Sequence, residues 1–450
     1  MELLTDAIHS SLIELVEDCR LAGPGFTPSD FPLINIDQPS LDHIVAQFGP
    51  VEDIYPASPM QQGLLFHALY SPLTDLYLNQ LSYRIEGRLD ILSFKQAWRF
   101  VVARHAIWST AFVWRDLEEP LQVVLKTVAL DFDERDWRCF TDEQQAKRLE
   151  SLILDDRRSA FDLAAPPLAR LILIRLSDET FQFIWSHHHL VSDGWSTALI
   201  LKEVLACYEA LSSSLAPAFT RPRPYRDYIA WLKAKSLSEA EKFWSEALKG
   251  FASPTPLPAA RLGRQAAADQ SNSENETIRV SKLSGAELRG FAQSHRVTVN
   301  TLIQGAWALL LSRYCGQDDV VFGATTSGRP AELSGIESMV GVFINTLPVR
   351  VKLPPRSSVI DWLSDLQDQQ AEQRQYEFSP LIQVQRWSAL PARQPLFETL
   401  VVFENYPTGD RLGQGSLRVT GIRVLEKTHY PLTLMAFVDR ALLLQLSFDT

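Results

Sequence analysis

"LARLILIRLSDETFQFIWSHHHLVSDGWSTALILKEVLACYEAL", Leu168 to Leu211, contains the decisive change of pattern in this chain. Two apolar runs flank a polar turn, which predicts a β-hairpin. From Gly194 the apolar residues take up helical spacing at Leu199, Leu201, Val204, Leu205, Tyr208 and Leu211. Three histidines therefore stand where a strand hands over to a helix. Successive side chains of a strand point to opposite faces. His187 and His189 are thus expected on one face with Phe183 and Trp185, and His188 on the other. Adjacent histidines so arranged cannot all bind one metal ion, and no nearby HxxxH, cysteine or paired carboxylate supplies further ligands. No metal site is expected. Core packing and general-base chemistry remain. A neutral imidazole, with an ordinary pKa near 6.5, can take a proton near neutral pH. Asp193 could hold the ring of His189 or form an ion pair that fixes the turn. Gly194 lets the backbone bend tightly.

Outward from this stretch, the chain of 450 residues is too long for one hydrophobic core and predicts two lobes. Residues 2–21 read as an amphipathic helix through Leu4, Ile8, Leu12, Leu15, Val16 and Cys19. "AGPGFTPSDFP", Ala22 to Pro32, reads as a linker. The expected divisions are 1–48 for the helix and inter-domain linker, 49–220 for an N-terminal lobe and 221–450 for a C-terminal lobe. The Pro-rich "SSSLAPAFTRPRP" (Ser212 to Pro224) marks that lobe boundary, and the polar stretch Ala259 to Glu276 reads as a surface loop. Further on, "RVTVNTLIQGAWALLLSRY" predicts a buried helix, and "DVVFGATTSGRP" and "GVFINTLPVRV" predict strands. Strands and helices alternate in both halves, the mark of layered α/β lobes.

The formal net charge is −11 with no basic cluster, which argues against nucleic acid and an anionic membrane surface. Cys19, Cys139, Cys207 and Cys315 are scattered and read as buried reduced thiols. The N-terminus lacks the pattern of a signal peptide, and no segment reads as a membrane span, so a cytoplasmic location is expected. There is no GxSxG elbow and no Walker loop. "LGQGSL" (Leu412 to Leu417) resembles the serine motif of a carrier protein, but it runs into the strand-like "RVTGIRV" where a carrier needs a helix.

"HHLVSDG" (His188 to Gly194) resembles the HHxxxDG motif of condensation domains from nonribosomal peptide synthetases. The likeness extends in register through "SPMQQGLLFH" (Ser58 to His67), "RHAIWSTAF" (Arg104 to Phe112), "YRDYIAW" (Tyr225 to Trp231) and "SGRPAELSGIESMVGVFINTLPVR" (Ser327 to Arg350). It continues in "YEFSPLIQVQRWS", "PLFETLVVFENYP" and "HYPLTL". One departure is Trp108-Ser109, where the family usually carries Leu-Arg. "TPSDFPL" (Thr27 to Leu33) resembles the connector after an upstream domain, so the chain reads as part of a longer assembly-line protein.

The resemblance implies two chloramphenicol-acetyltransferase-like lobes in a V, with a tunnel between them open at both ends. It implies amide-bond formation between an upstream carrier-bound aminoacyl or peptidyl thioester and the amine of a downstream carrier-bound aminoacyl thioester. His189 would be general base or positioner. His188, Asp193, Gly194 and Arg329 would be structural, with Arg329 pairing Asp193. His187, Ser327, Asn345 and His429 would line the tunnel or, as an equal alternative for the last three, pack in the core; His187 is better explained as wall or packing than as a second base. No cofactor would be bound by this domain itself; phosphopantetheine arms would be delivered by partner carrier domains. An adjacent adenylation or epimerization domain and a monomeric state are expected. The alternatives are an epimerization domain, a starter acylating domain and a non-catalytic recruitment platform. A heterocyclization domain would carry DxxxxD in place of HHxxxDG.

Overall fold

The structure, a computed structural model, describes residues 2–22, 25–71, 75–257, 273–391, 394–404, 417–438 and 441–449. In chain order its strands are β1 (Val51–Pro56), β2 (Leu78–Glu86), β3 (Thr110–Val113), β4 (Leu121–Leu125), β5 (Phe132–Asp136), β6 (Ala169–Arg175) and β7 (Thr180–His188). There follow β8 (Ser273–Ser284), β9 (Asp319–Thr326), β10 (Asn345–Lys352), β11 (Thr399–Glu404), β12 (Arg418–Leu425), β13 (Leu432–Val438) and β14 (Ala441–Asp449). The helices are α1 (Glu2–Ala22), α2 (Gln38–Phe48), α3 (Pro59–Tyr70), α4 (Ile91–Arg104), α5 (Asp142–Arg158) and α6 (Gly194–Ser212). They continue as α7 (Arg226–Lys233), α8 (Leu237–Ala247), α9 (Gly285–Ser294), α10 (Val299–Cys315), α11 (Val359–Gln373) and α12 (Leu381–Trp387).

The expected hairpin is β6 and β7, antiparallel, at the centre of a sheet ordered β12-β2-β7-β6-β5. Helices cover both faces, which is why β7 reads as an almost unbroken apolar run. Phe181, Phe183 and Trp185 face Phe94 and Trp98 of α4 and Val204 and Tyr208 of α6. Ile184 turns the other way, to Ile153 of α5. Trp98 meets Trp185 edge-on at 4.9 Å between ring centroids, and Phe94 meets Phe183 at 5.2 Å. Such pairs add about 0.5–1.5 kcal/mol each beyond their buried area. The second large sheet is ordered β10-β9-β11-β13-β14-β8. Trp307 and Leu311 of α10 and Trp362 and Leu366 of α11 build one core against it, and Trp244 of α8 and Val384 of α12 another.

The expected lobe division is crossed by the chain. β12, from the C-terminal half, pairs antiparallel with β2 as an outer strand of the first sheet. Leu333, Ile336, Met339, Val340, Val342 and Phe343 also enter the first core. The expected linker needs correction as well. Phe31 and α2 residues Leu41 and Ile44 are buried against the small sheet β1-β4-β3, so residues 31–48 are partly built into the body. Residues 259–272 of the expected surface loop lie outside the described residues, and 273–276 belong to β8. The residues of "LGQGSL" before Leu417 also lie outside them, while the stretch that follows is β12. Of the cysteines expected to be buried, Cys207 is, Cys315 is half-buried and Cys139 is exposed; the side chain of Cys19 lies outside the described residues. No helix among the described residues is long and apolar enough to cross a membrane.

Candidate active site

β7 delivers the histidines, and its end separates them. His187 follows Phe183 and Trp185 onto the α4/α6 face, where its ring lies 4.5 Å from Trp185 and 5.7 Å from Trp108. Trp108, the first residue of the Trp108-Ser109 departure from the family pattern, is thus core packing. His188 faces the other side and meets Phe161 edge-on at 6.5 Å. The strand ends there, because His188 Nδ1 accepts from the Leu190 N–H at 3.1 Å and its carbonyl accepts from the Val191 N–H at 3.2 Å. These bonds start a turn, and His189 is the first residue beyond the strand. His189 N–H donates to the Tyr77 carbonyl at 2.8 Å, and its ring lies edge-on to the Tyr77 ring at 6.4 Å. Its Nε2 sits 3.3 Å from Glu426 Oε1, just beyond the end of β12.

The three rings differ electrostatically. Burial, with the neighbouring histidines, lowers His187 to about 3, and burial with His189 lowers His188 to about 3. Burial acts on His189 in the same direction, but the Glu426 carboxylate, aided by the charge of Asp193, outweighs it and raises its pKa. His189 is the one ring of the three with a greater affinity for a proton than a free imidazole.

Asp193 does not touch the ring as a hydrogen-bond partner. It caps α6, with Oδ1 accepting from the Ser196 N–H at 2.8 Å. Its Oδ2 accepts from the Phe343 N–H at 3.0 Å, and Arg329 Nη2 lies 3.6 Å from Oδ1. Ser196 Oγ donates to the Gly341 carbonyl at 2.8 Å and accepts from Arg329 Nη2 at 3.0 Å. Arg329 also donates to the carbonyls of Ile336 and Met339, and its guanidinium lies 4.0 Å from the Phe343 ring. The Asp193–Gly194 turn is therefore both the start of α6 and the clasp for residues 341–343. Those residues were expected to be strand. Their backbone is spent on the start of α6 and on the hydroxyls of Tyr225 and Tyr228, and β10 begins only at Asn345. Gln61, held by its capping box with Ser58, donates to the Leu190 carbonyl at 2.8 Å and fixes the turn from the opposite side.

The other expected residues are spread out. Ser327 is exposed on the loop after β9. Asn345 is buried and donates to the carbonyls of Glu377 and Ser379, both at 2.8 Å. His429 is brought to the site: its Nδ1 is hydrogen-bonded to the Tyr77 hydroxyl, and its ring stacks on His67 at 3.9 Å. Burial, with His67 beside it, lowers His429 to about 3, and burial lowers His67. Tyr77, Glu426 and His67 were not expected there. Glu426 stands three residues before His429 in "LEKTHYPLTL", so its motif pointed to the neighbourhood but not to the contact. Tyr77 has φ +61, a strained conformation for a residue with a side chain.

A family profile described as "Condensation domain" matches residues 51–450. One component of the linear gramicidin synthase of Brevibacillus parabrevis is 44% identical over 430 residues, covering 95% of this chain and 6% of that protein. A second component of the same synthase is 43% identical over 453 residues, covering 100% of this chain and 9% of that protein. The chain thus spans less than a tenth of the length of these relatives. Among solved structures, the starter condensation domain of rhizomide synthetase superposes with a TM-score of 0.77 at 20% identity, over 91% of both chains. The X-domain from teicoplanin biosynthesis superposes with a TM-score of 0.72 at 22% identity, over 87% of this chain and 89% of that one.

Proposed function

We infer that this chain, which belongs to the condensation-domain family of nonribosomal peptide synthetases, forms an amide bond between two carrier-bound substrates. An upstream aminoacyl or peptidyl thioester is the donor, and the amine of a downstream aminoacyl thioester is the acceptor. Neighbouring carrier domains bring both, on phosphopantetheine arms, to a tunnel between the lobes. The observation that carries this reading is the pairing of His189 with Glu426.

An α-amine has an ordinary pKa of about 8, so much of it is protonated at neutral pH. It attacks only as the free base. Its nitrogen bonds to the thioester carbonyl carbon, and the proton it sheds passes to His189. Collapse of the tetrahedral intermediate breaks the C–S bond, and the leaving thiolate takes the proton back from the imidazolium. A thioester is already activated, so the chain needs no nucleophile of its own. Holding the reactants in line supplies several kcal/mol, of the order of 7–11 in favourable systems. Asp193 and Arg329 hold the turn that presents the ring, and Asn345 fixes the loop at 377–379 beside the second sheet.

The test is a condensation assay with the neighbouring loaded carrier domains, read by intact-protein mass spectrometry. Wild type should transfer the donor to the acceptor carrier. His189→Ala should reduce product by about 10²-fold or more, the scale of general-base catalysis, with little change in melting temperature. Product at the wild-type rate would remove His189 from the reaction. Exchange of the donor α-proton without transfer would favour epimerization instead.

A further inference from the structure

We propose that Glu426 is a positioning residue for the reaction: it holds His189 from the end of β12 and stabilises the imidazolium that forms as the amine loses its proton. This rests on the condensation reading of His189.

The contact is built by the fold. β12 and β7 both pair with β2, so they run parallel on either side of it and end at the same edge of the sheet. Tyr77, just before β2, joins the two ends. Its carbonyl accepts from the His189 N–H at 2.8 Å, and its own N–H donates to the Lys427 carbonyl at 3.1 Å. One residue thereby sets the backbone of His189 and of Glu426's neighbour, and it does so at φ +61. Arg157 reinforces the junction from α5. It donates to the carbonyls of Leu78 at 3.4 Å, at the start of β2, and of Leu425 at 3.0 Å, at the end of β12, and pairs with Asp75. The Glu426 carboxylate is thus delivered to Nε2 by two strand ends and an arginine clamp.

The charged and titratable groups facing this pair come from several elements. Asp193 adds negative charge from the start of α6, with Arg329 beyond it. His187 and His188 lie on β7, both held neutral near pH 7 by burial. Tyr77, with its hydroxyl bonded to His429, keeps its proton because burial raises it well above the ordinary value. Lys427 lies 3.8 Å from Asp75, which is shared with Arg157, so its charge is partly matched. Of these groups, Glu426 alone forms an ion pair with the His189 ring. A carboxylate there favours the imidazolium over the imidazole. It makes His189 the stronger base and moves its titration upward.

Glu426→Gln keeps the shape and removes the charge. Two readouts test it, one of them independent of activity. In the first, NMR of selectively labelled histidine rings follows His189, assigned by its loss in His189→Gln. The wild-type midpoint should lie above the ordinary value of about 6.5 and should fall by about one pH unit in Glu426→Gln. In the second, the pH dependence of condensation should show the acid limb displaced to lower pH by a similar amount, with about a ten-fold lower plateau. The amine's own ionisation is common to both proteins and drops out of the comparison. A wild-type midpoint at or below 6.5, or a limb that stays in place while the rate falls equally at every pH, would overturn the proposal. If Glu426→Gln does not fold, the wild-type midpoint still decides, and Glu426→Asp should give an intermediate one. A wild type that titrates as stated yet forms no amide would leave the pair intact and sink the condensation reading alone.

Discussion

Two buried histidines, His187 and His188, and the half-buried His429 have pKa values lowered to about 3, with desolvation the largest cause in each. In the unfolded chain each titrates near 6.5. Between those values the unfolded state binds more protons, so stability falls as pH drops below about 6.5 and goes on falling toward 3. Each ring contributes up to about 1.4 kcal/mol per pH unit. His189 has the opposite sign: its raised pKa gives stability that is full below about 6.5 and is lost as pH rises through the folded value. His187→Phe should therefore lose less stability between pH 7 and pH 5 than wild type, read from urea midpoints at both. Phenylalanine keeps the stacking on Trp185, and the missing 3.4 Å contact to Thr197 acts equally at both pH values. An equal loss in the two proteins would deny His187 any part in acid sensitivity. At this scale the sequence made His189 visible because hydrophobic period, turn and titratable ring coincide there. Glu426 and Tyr77 stayed hidden because only the pairing of β12 with β2 brings them to it, and no local pattern encodes which strands pair.

Helix α6 is the element through which the turn carrying His189 is anchored. Its N-cap, Asp193, is fully buried and satisfies backbone groups of both Ser196 and Phe343. Asp193→Ala removes the cap, orphans the Phe343 N–H and leaves the buried side of Arg329 without its charge partner. A buried ion pair broken on one side costs about 3–5 kcal/mol, so the melting temperature should drop sharply and activity should follow the folded fraction. An unchanged melting curve with no condensation would instead give Asp193 a part in the chemistry. The helix itself was legible, as were β6, β7, β9 and α10, since each carries its own period. β10 was read too long because Gly341 to Phe343 look like strand but give their backbone groups to the start of α6 and to the hydroxyls of Tyr225 and Tyr228. Residues 31–48 were read as linker because Gly and Pro break the pattern, while the apolar Phe31, Leu41 and Ile44 that dock them are too sparse to signal a core contact.

For the whole molecule, the decisive fact is that both halves are sewn through each other. The segment from β12 to β13 gives one strand to each large sheet, with residues 426–431 as the connection. That connection holds Glu426, which pairs with His189, and His429, which is bonded to the Tyr77 hydroxyl, so both are strung between the two sheets. A second crossing, residues 333–343, buries six apolar side chains in the first core. It is pinned by Asp193, Ser196, and the Tyr225 hydroxyl, which donates to the Val342 carbonyl at 2.6 Å. Independent opening of either half would have to extract an outer strand from a sheet and a hydrophobic loop from a core. Cooperative units with so many shared contacts should open together. In hydrogen exchange under native conditions, the slowest amides of β2 and β7 and those of β11 and β13 should then report the same opening free energy, with the same dependence on low urea. Replacing Gly328 by Ala offers the perturbation. Gly328 has φ +58, and a Cβ there would lie 1.6 Å from the Phe343 carbonyl oxygen, so the second crossing must shift. The variant should lower the opening free energy of both sheets by the same amount. Faster exchange confined to β11 and β13, with β2 and β7 unmoved, would mean that the lobes unfold separately and that the candidate site around His189 lies at a loose junction between them.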